Sequence, residues 1–213
     1  MNNQSRTSER IVWIDCEMTG LDLTKDALVE VACIVTEADL TELDAGFEVV
    51  IRPADMSSVE NMIEVVKNMH AASGLIDEIP DGISLGQAED QLLAYIKKHI
   101  PEPRKSPLAG SSVYVDRGFL SRDMPKVDAH MHYRLLDVSS VKEIVRRWYP
   151  RVFFGTPDKV GNHRALSDIR ESIQELKFYR DLVFQPDPGP TTERVKAVAD
   201  QINTARGAQN DLG

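Results

Sequence analysis

Cysteine is nearly missing from this chain. Cys16 and Cys33 are the only two among 213 residues, and both sit inside apolar, strand-like runs. That setting reads as two small buried hydrophobes in a reducing compartment. A disulfide between neighbouring strands is the weaker reading. Long hydrophobic runs are missing as well, so no segment reaches the length a bilayer span needs. The opening stretch, Met1 to Arg10, lacks the apolar region of a secretory signal. Together these absences point to a cytoplasmic location and no membrane partner. Positive charge is in deficit too. Lys and Arg number 25 against 34 Asp and Glu, a net charge of −9. Proteins that grip long nucleic acids usually show a basic face, because phosphate contacts supply most of the affinity. No basic stripe occurs here. A nucleic-acid substrate would therefore be short and held at one end, with metal ions neutralising much of its phosphate charge.

What is present suits one α/β domain. The length allows a sizeable core, and 42% hydrophobic with 28% charged residues is ordinary for a globular protein. Residues 1–9 are polar and expected to be flexible. Arg10 to Glu17 reads as a buried strand, Leu28 to Thr36 as a second, and Gly46 to Arg52 as a third. Their short connections predict an antiparallel meander. Residues 57–70 carry a helical pattern capped by Ser57 or Ser58, and 84–100 a second, started by Ser84 and stopped by Pro101. Strand and helix then alternate: Ser106 to Val113, Val115 to Met124, Arg134 to Val138, then a helix to Trp148 capped by Ser139 or Ser140. Its Lys142, Arg146, Arg147 and Arg151 read as a solvated face, with loose RNA contact as the alternative. A long amphipathic helix spans 164–184, starting near Asn162 or Arg164. The domain thus covers 10–184. Pro186, Pro188 and Pro190 open a linker and tail over 185–213, with a loose helix near 191–206. There are no repeats. The expected fold class is α/β, one mixed five-stranded sheet flanked by helices.

Chemistry concentrates in scattered acids. Asp15 and Glu17 lie two apart in an apolar strand, so both project from one face. Asp116 follows a short strand and opens a helix. Asp168 falls about one turn into the late helix, with His163 at its mouth. A histidine beside a carboxylate can serve as a general base near neutral pH. Each fragment alone is weak, because a solvated strand end or a helix-dipole acid explains it equally well. Buried together without compensation, four carboxylates would cost more than a domain's whole stability. If they converge, divalent cations must hold them.

The joint pattern, Asp-x-Glu, a later Asp and His-x4-Asp, resembles the DEDDh branch of the 3′-to-5′ exonucleases, which share an RNase H-like fold. Within that branch, residues 13–22, 70–75, 116–120, 132–139 and 163–172 resemble oligoribonuclease. The resemblance covers residues 10 to 184. It implies two divalent cations, Mg²⁺ or Mn²⁺, held by Asp15, Glu17, Asp116 and Asp168, with His163 as base. It also implies that Leu21 wedges beside the terminal bases, and that Ser112, Arg134 and Ser139, with His70 nearby, cap a 5′-phosphate. The implied substrate is short single-stranded RNA of roughly two to five nucleotides, dinucleotides above all. The implied assembly is a homodimer in which Tyr133 reaches the partner's site. One position departs from the pattern: Val65 stands where relatives carry a base-stacking Trp. Two alternatives stay open, a DNA-directed proofreading or trimming exonuclease on the same fold and a catalytically silent nucleotide-binding module.

Overall fold

The computed structural model describes residues 9–158, 161, 163–186 and 188–210, the side chains of 207–210 excepted. The expected flexible residues 1–8, and Asn162 as a helix start, lie outside them. Five strands form one sheet in the order β3-β2-β1-β4-β5. They are β1 (Ile11–Met18), β2 (Leu28–Thr36), β3 (Phe47–Val50), β4 (Leu108–Gly110) and β5 (Leu135–Asp137). β1, β2 and β3 make the antiparallel meander that their short connections favour. β4 joins β1 in parallel and β5 joins β4 in parallel, each after an intervening helical stretch. The sheet is mixed, and β1 is where antiparallel pairing gives way to parallel.

Alternation along β1 sorts its side chains between two cores. Val12, Ile14 and Cys16 join the core under α4 (Leu85–His99), α5 (Tyr114–Asp123) and α6 (Pro125–His130). Ile11 and Trp13 join the opposite core under α7 (Val138–Trp148) and α9 (Ala165–Val183). Asp15 and Glu17 belong to this second set, so the pleat aims both acids toward α9. Helix α9 packs Ile169, Ile173 and Tyr179 into that core. Burying an aliphatic side chain of this kind is worth about 1.5–3 kcal/mol, which fixes α9 against β1 and β2. Cys16 and Cys33 are both buried and free. They are not register partners, since Cys16 faces Val31 and Cys33 faces Ile14.

Several boundaries differ from expectation. The pattern over 57–70 resolves into α1 (Ser57–Glu60) and α2 (Glu64–Ser73), broken at an extended Ile63. Val59, Met62 and Val66 still share one small core with Leu75 of α3 (Leu75–Glu78), so apolar spacing runs unbroken across the kink. Neither Ser57 nor Ser58 caps α1; Met56 occupies the cap position. For α7 the cap is Asp137, not Ser139 or Ser140: the helix starts earlier, and the Ser139 amide donates to the Asp137 carboxylate. Pro150 does not only end α7; it opens α8 (Pro150–Phe154) as its first residue, where a missing N–H costs nothing. The tail forms a longer helix than expected, α10 (Thr192–Asn210), and every side chain described in it is exposed.

Candidate active site

Asp15, Glu17 and Asp168 meet beside the C-terminal end of β1. One carboxylate oxygen from each lies within 4.8 Å of the other two. Asp116 reaches the same strand from the first turn of α5, where its Oδ1 accepts a hydrogen bond from the Cys16 amide at 3.0 Å. It stands next to the three-acid group rather than inside it. Its charge is nonetheless felt there, being the strongest neighbouring charge on Asp15.

The electrostatics are those of crowded, largely buried carboxylates. Burial, then the charges of Asp116, Glu17 and Asp168, drive the Asp15 carboxyl well above the ordinary carboxylate range. Burial and the Asp168 and Glu30 charges push Glu17 up to about 8, against a partial lowering by the Arg164 guanidinium. Burial lifts Asp116 to about 7 despite its backbone hydrogen bonds. Like charges at this spacing cannot all ionise in the absence of a counter-charge. An all-oxygen donor set is what hard divalent cations prefer, so the residues present fit the metal site the chemistry calls for.

His163 and Asp168 are delivered by a purpose-built helix start. His163 is exposed and takes a left-handed φ of 50°, and nearby Gly161 has φ 62°. The Gly161 amide donates to Glu171 Oε1 at 3.1 Å. The amide of Ala165 donates to the buried Glu30 at 2.9 Å, and that of Leu166 donates to Glu48 at 3.1 Å. Both acceptors are acids at the positive end of the helix dipole. Arg164 donates to Glu30 and pairs bidentately with Glu78 at 3.0 Å. This set was missed in the sequence, although Glu30 gave a signal as the only charged residue in the nine-residue strand β2. Glu30 lies opposite Glu17 in the register, a like-charge pair that Arg164 compensates.

His70 is fully buried, with Nε2 2.9 Å from the Met18 carbonyl and Nδ1 3.9 Å from Glu17 Oε2. It thus stands beside the carboxylates, and among the described residues no hydrogen bond links it to Ser112, Arg134 or Ser139. Burial lowers its pKa, which favours the neutral ring. Leu21 is 73% exposed. It lines a cleft of about 490 Å³ together with Thr19, Asp22, Asn61 and Ile63. Its turn is tied down by Arg122, which donates to the carbonyls of Leu23 and Asp26. Val65 is exposed on α2.

Ser112 and Ser139 come together, with hydroxyl oxygens 3.1 Å apart. Arg134 and Tyr133 are exposed neighbours, the Arg134 Nε donating to the Tyr133 hydroxyl at 3.1 Å. On α7, Lys142 is not a free basic group; it pairs at 3.0 Å with the buried Glu175 of α9. Arg146 and Arg147 both pair with Glu143.

Comparison with known proteins agrees with this geometry. Residues 12–176 match the RNase T exonuclease family. An oligoribonuclease of Streptomyces griseus is 56% identical over 196 residues, which cover 92% of this chain and 97% of that one. Oligoribonucleases of Mycobacterium bovis and Rhodococcus jostii are each 51% identical, over 95% and 92% of this chain and 94% and 99% of theirs. Among solved structures, exonuclease I matches with TM-score 0.60 at 13% identity, over 81% of this chain and 41% of that one. E. coli exonuclease I in complex with a dT13 oligonucleotide matches with TM-score 0.59 at 14% identity, over 81% and 41%. These structural matches establish the RNase H-like fold. The family and the carboxylate cluster together imply dependence on a divalent metal, and no helix among the described residues is long and apolar enough to cross a membrane. The chain belongs to the oligoribonuclease family of 3′-to-5′ exonucleases.

Proposed function

We propose that this exoribonuclease acts chiefly on diribonucleotides and other very short single-stranded RNAs, releasing nucleoside 5′-monophosphates. The observation that carries the reading is the pairing of two features. Three carboxylates converge beside β1, and the hydroxyls of Ser112 and Ser139 come together 3.1 Å apart. Asp15, Glu17, Asp168 and the adjacent Asp116 would hold two divalent cations, Mg²⁺ or Mn²⁺. Such a pair, when bound, supplies the nucleophilic hydroxide and stabilises the leaving oxygen. The chain's own residues do the rest. His163 takes the proton from the attacking water. Leu21 packs beside the terminal bases, with Val65 offering an aliphatic surface in place of an aromatic one. Ser112, Arg134 and Ser139 receive the 5′-phosphate, Arg134 in fork geometry. A cap at that end limits length, which accords with the net charge of −9. His70 stands beside Glu17, its Nδ1 3.9 Å from the carboxylate. We place the enzyme in the cytoplasm as a homodimer, with the exposed Tyr133 reaching the partner's site.

A time course tests this. A 5′-phosphorylated diribonucleotide and a long single-stranded RNA, each with Mg²⁺ and with or without chelator, should show fast, chelator-sensitive release of mononucleotide from the dinucleotide and slow release from the long strand. Equal rates on both would remove the length limit. Light scattering of the same preparation should give twice the 23.9 kDa chain mass.

A further inference from the structure

Ser112 is one of four non-glycine residues with positive φ, at 54°, among those described. A serine has no intrinsic reason to accept that conformation, so its surroundings must hold it. The Ser112 carbonyl accepts from the Val115 amide at 3.0 Å, and its own amide is held by one carboxylate oxygen. Asp137 Oδ1 accepts the Ser112 amide at 3.0 Å and the Ser139 amide at 2.8 Å. Sheet register makes this possible, because Gly110 at the end of β4 lies opposite Asp137 at the end of β5. The chain leaving β4 is therefore carried past the start of α7. The two serines, far apart in sequence, end with their hydroxyls 3.1 Å apart. Because both amides are engaged by Asp137, the groups left to face a ligand are the hydroxyls. The charge of the carboxylate is offset by two N–H dipoles at a helix start.

We propose that Asp137 is the positioning residue for 5′-phosphate recognition: its single oxygen fixes Ser112 and Ser139 so that their hydroxyls converge as one receptor. This rests on the reading of Ser112, Arg134 and Ser139 as the phosphate cap. Asp137 touches neither substrate nor metal in this role. It sets where the hydroxyls are, and so contributes to the preference for a phosphorylated terminus rather than to bond cleavage.

Two substitutions separate this role from a merely structural one. D137S keeps a good helix cap for α7 but is too short to hold the Ser112 amide as well. D137N keeps an acceptor of the same reach without the charge. The readout is kcat and KM on a diribonucleotide carrying a 5′-phosphate and on the same dinucleotide without it. The parent should favour the phosphorylated substrate. In D137S that preference should fall by about tenfold, the effect of one lost hydrogen bond to a charged group. The fall should appear in KM, with the unphosphorylated substrate affected far less. D137N should keep most of the preference. In an S112A background, D137S should add little. Equal losses on both substrates in D137S would show a general structural role and overturn the proposal. So would full retention of the preference. A parent with no preference for the 5′-phosphate would instead sink the cap reading itself, and the role of Asp137 with it.

Discussion

At the scale of single residues, the three converging carboxylates carry the argument. Asp15→Asn removes a charge from the centre of the cluster while keeping its shape. Turnover of a 5′-phosphorylated diribonucleotide should drop by more than about a hundredfold, with near-native thermal stability; an assay with saturating Mn²⁺ checks it. The raised pKa values also set a pH dependence. Glu17 goes from an ordinary 4.5 to about 8 and Asp116 from 3.8 to about 7, so the folded metal-free protein binds more protons than the unfolded chain between those limits. Stability then falls as pH rises. It is greatest below about pH 4 on this account, and is lost as pH climbs through 7 to 8. Thermal melts with chelator should show Tm dropping across pH 5 to 8. Added Mg²⁺ should reverse the trend, because the cation needs the ionised acids. A metal-free Tm that rises over that interval would contradict the buried cluster. Asp15 and Glu17 were legible in the sequence because a two-residue period puts neighbours of one kind on one face. Glu30 and Arg164 were not read, since a lone acid in a strand and a cation beside a motif histidine show their purpose only when register and helix docking bring them together.

At the scale of elements, the site is made of starts and ends. The turn from Thr19 to Ala27 presents Leu21, and its internal bonds are many: the Thr19 amide donates to the Ala27 carbonyl, and the Asp22 amide donates to Asp26. Arg122 on α5 grips its backbone from outside and packs over Phe119. Arg122→Ala should loosen that turn. KM for a dinucleotide should rise about three- to tenfold, the effect of a few lost hydrogen bonds near the surface, with kcat changed much less. A double-mutant cycle with Leu21→Ala should show the two effects overlapping. Additive effects would mean that Arg122 acts elsewhere. Helix existence was legible here, helix starts less so. Ser84 caps α4 with a full capping box, as its sequence word indicates. The α7 start was misplaced because Asp137 sits inside what reads as a strand, and only the turn from β5 makes it a cap. The kink at Ile63 was invisible for a related reason: hydrophobic spacing reports which side is buried, not whether the backbone stays helical.

At the scale of the whole molecule, the meander was legible because short connections leave antiparallel neighbours as the only choice. The parallel addition of β4 and β5 was harder to read, since strands of three residues carry little periodicity and their order depends on the helices that cross between them. The boundary near Gln185 is the feature most open to experiment. Helix α9 ends at Val183 with its apolar face spent on the second core, and Pro186 follows. Beyond it, α10 has Val195, Val198 and Ile202 at helical spacing, 53%, 36% and 50% exposed, and none of its described side chains is fully buried. A helix whose described side chains all keep substantial exposure contributes little stability to a fold. A chain ending at Gln185 should therefore melt within about 1 °C of the full chain, since a shift of 2–4 °C corresponds to roughly 1 kcal/mol for a domain of this size. It should also hydrolyse dinucleotides at the parent rate. Differential scanning calorimetry and the dinucleotide assay on both chains check it. A large drop in Tm at unchanged protein concentration would mean that the apolar stripe of α10 is covered in solution, and a concentration-dependent drop would mean that a second copy covers it.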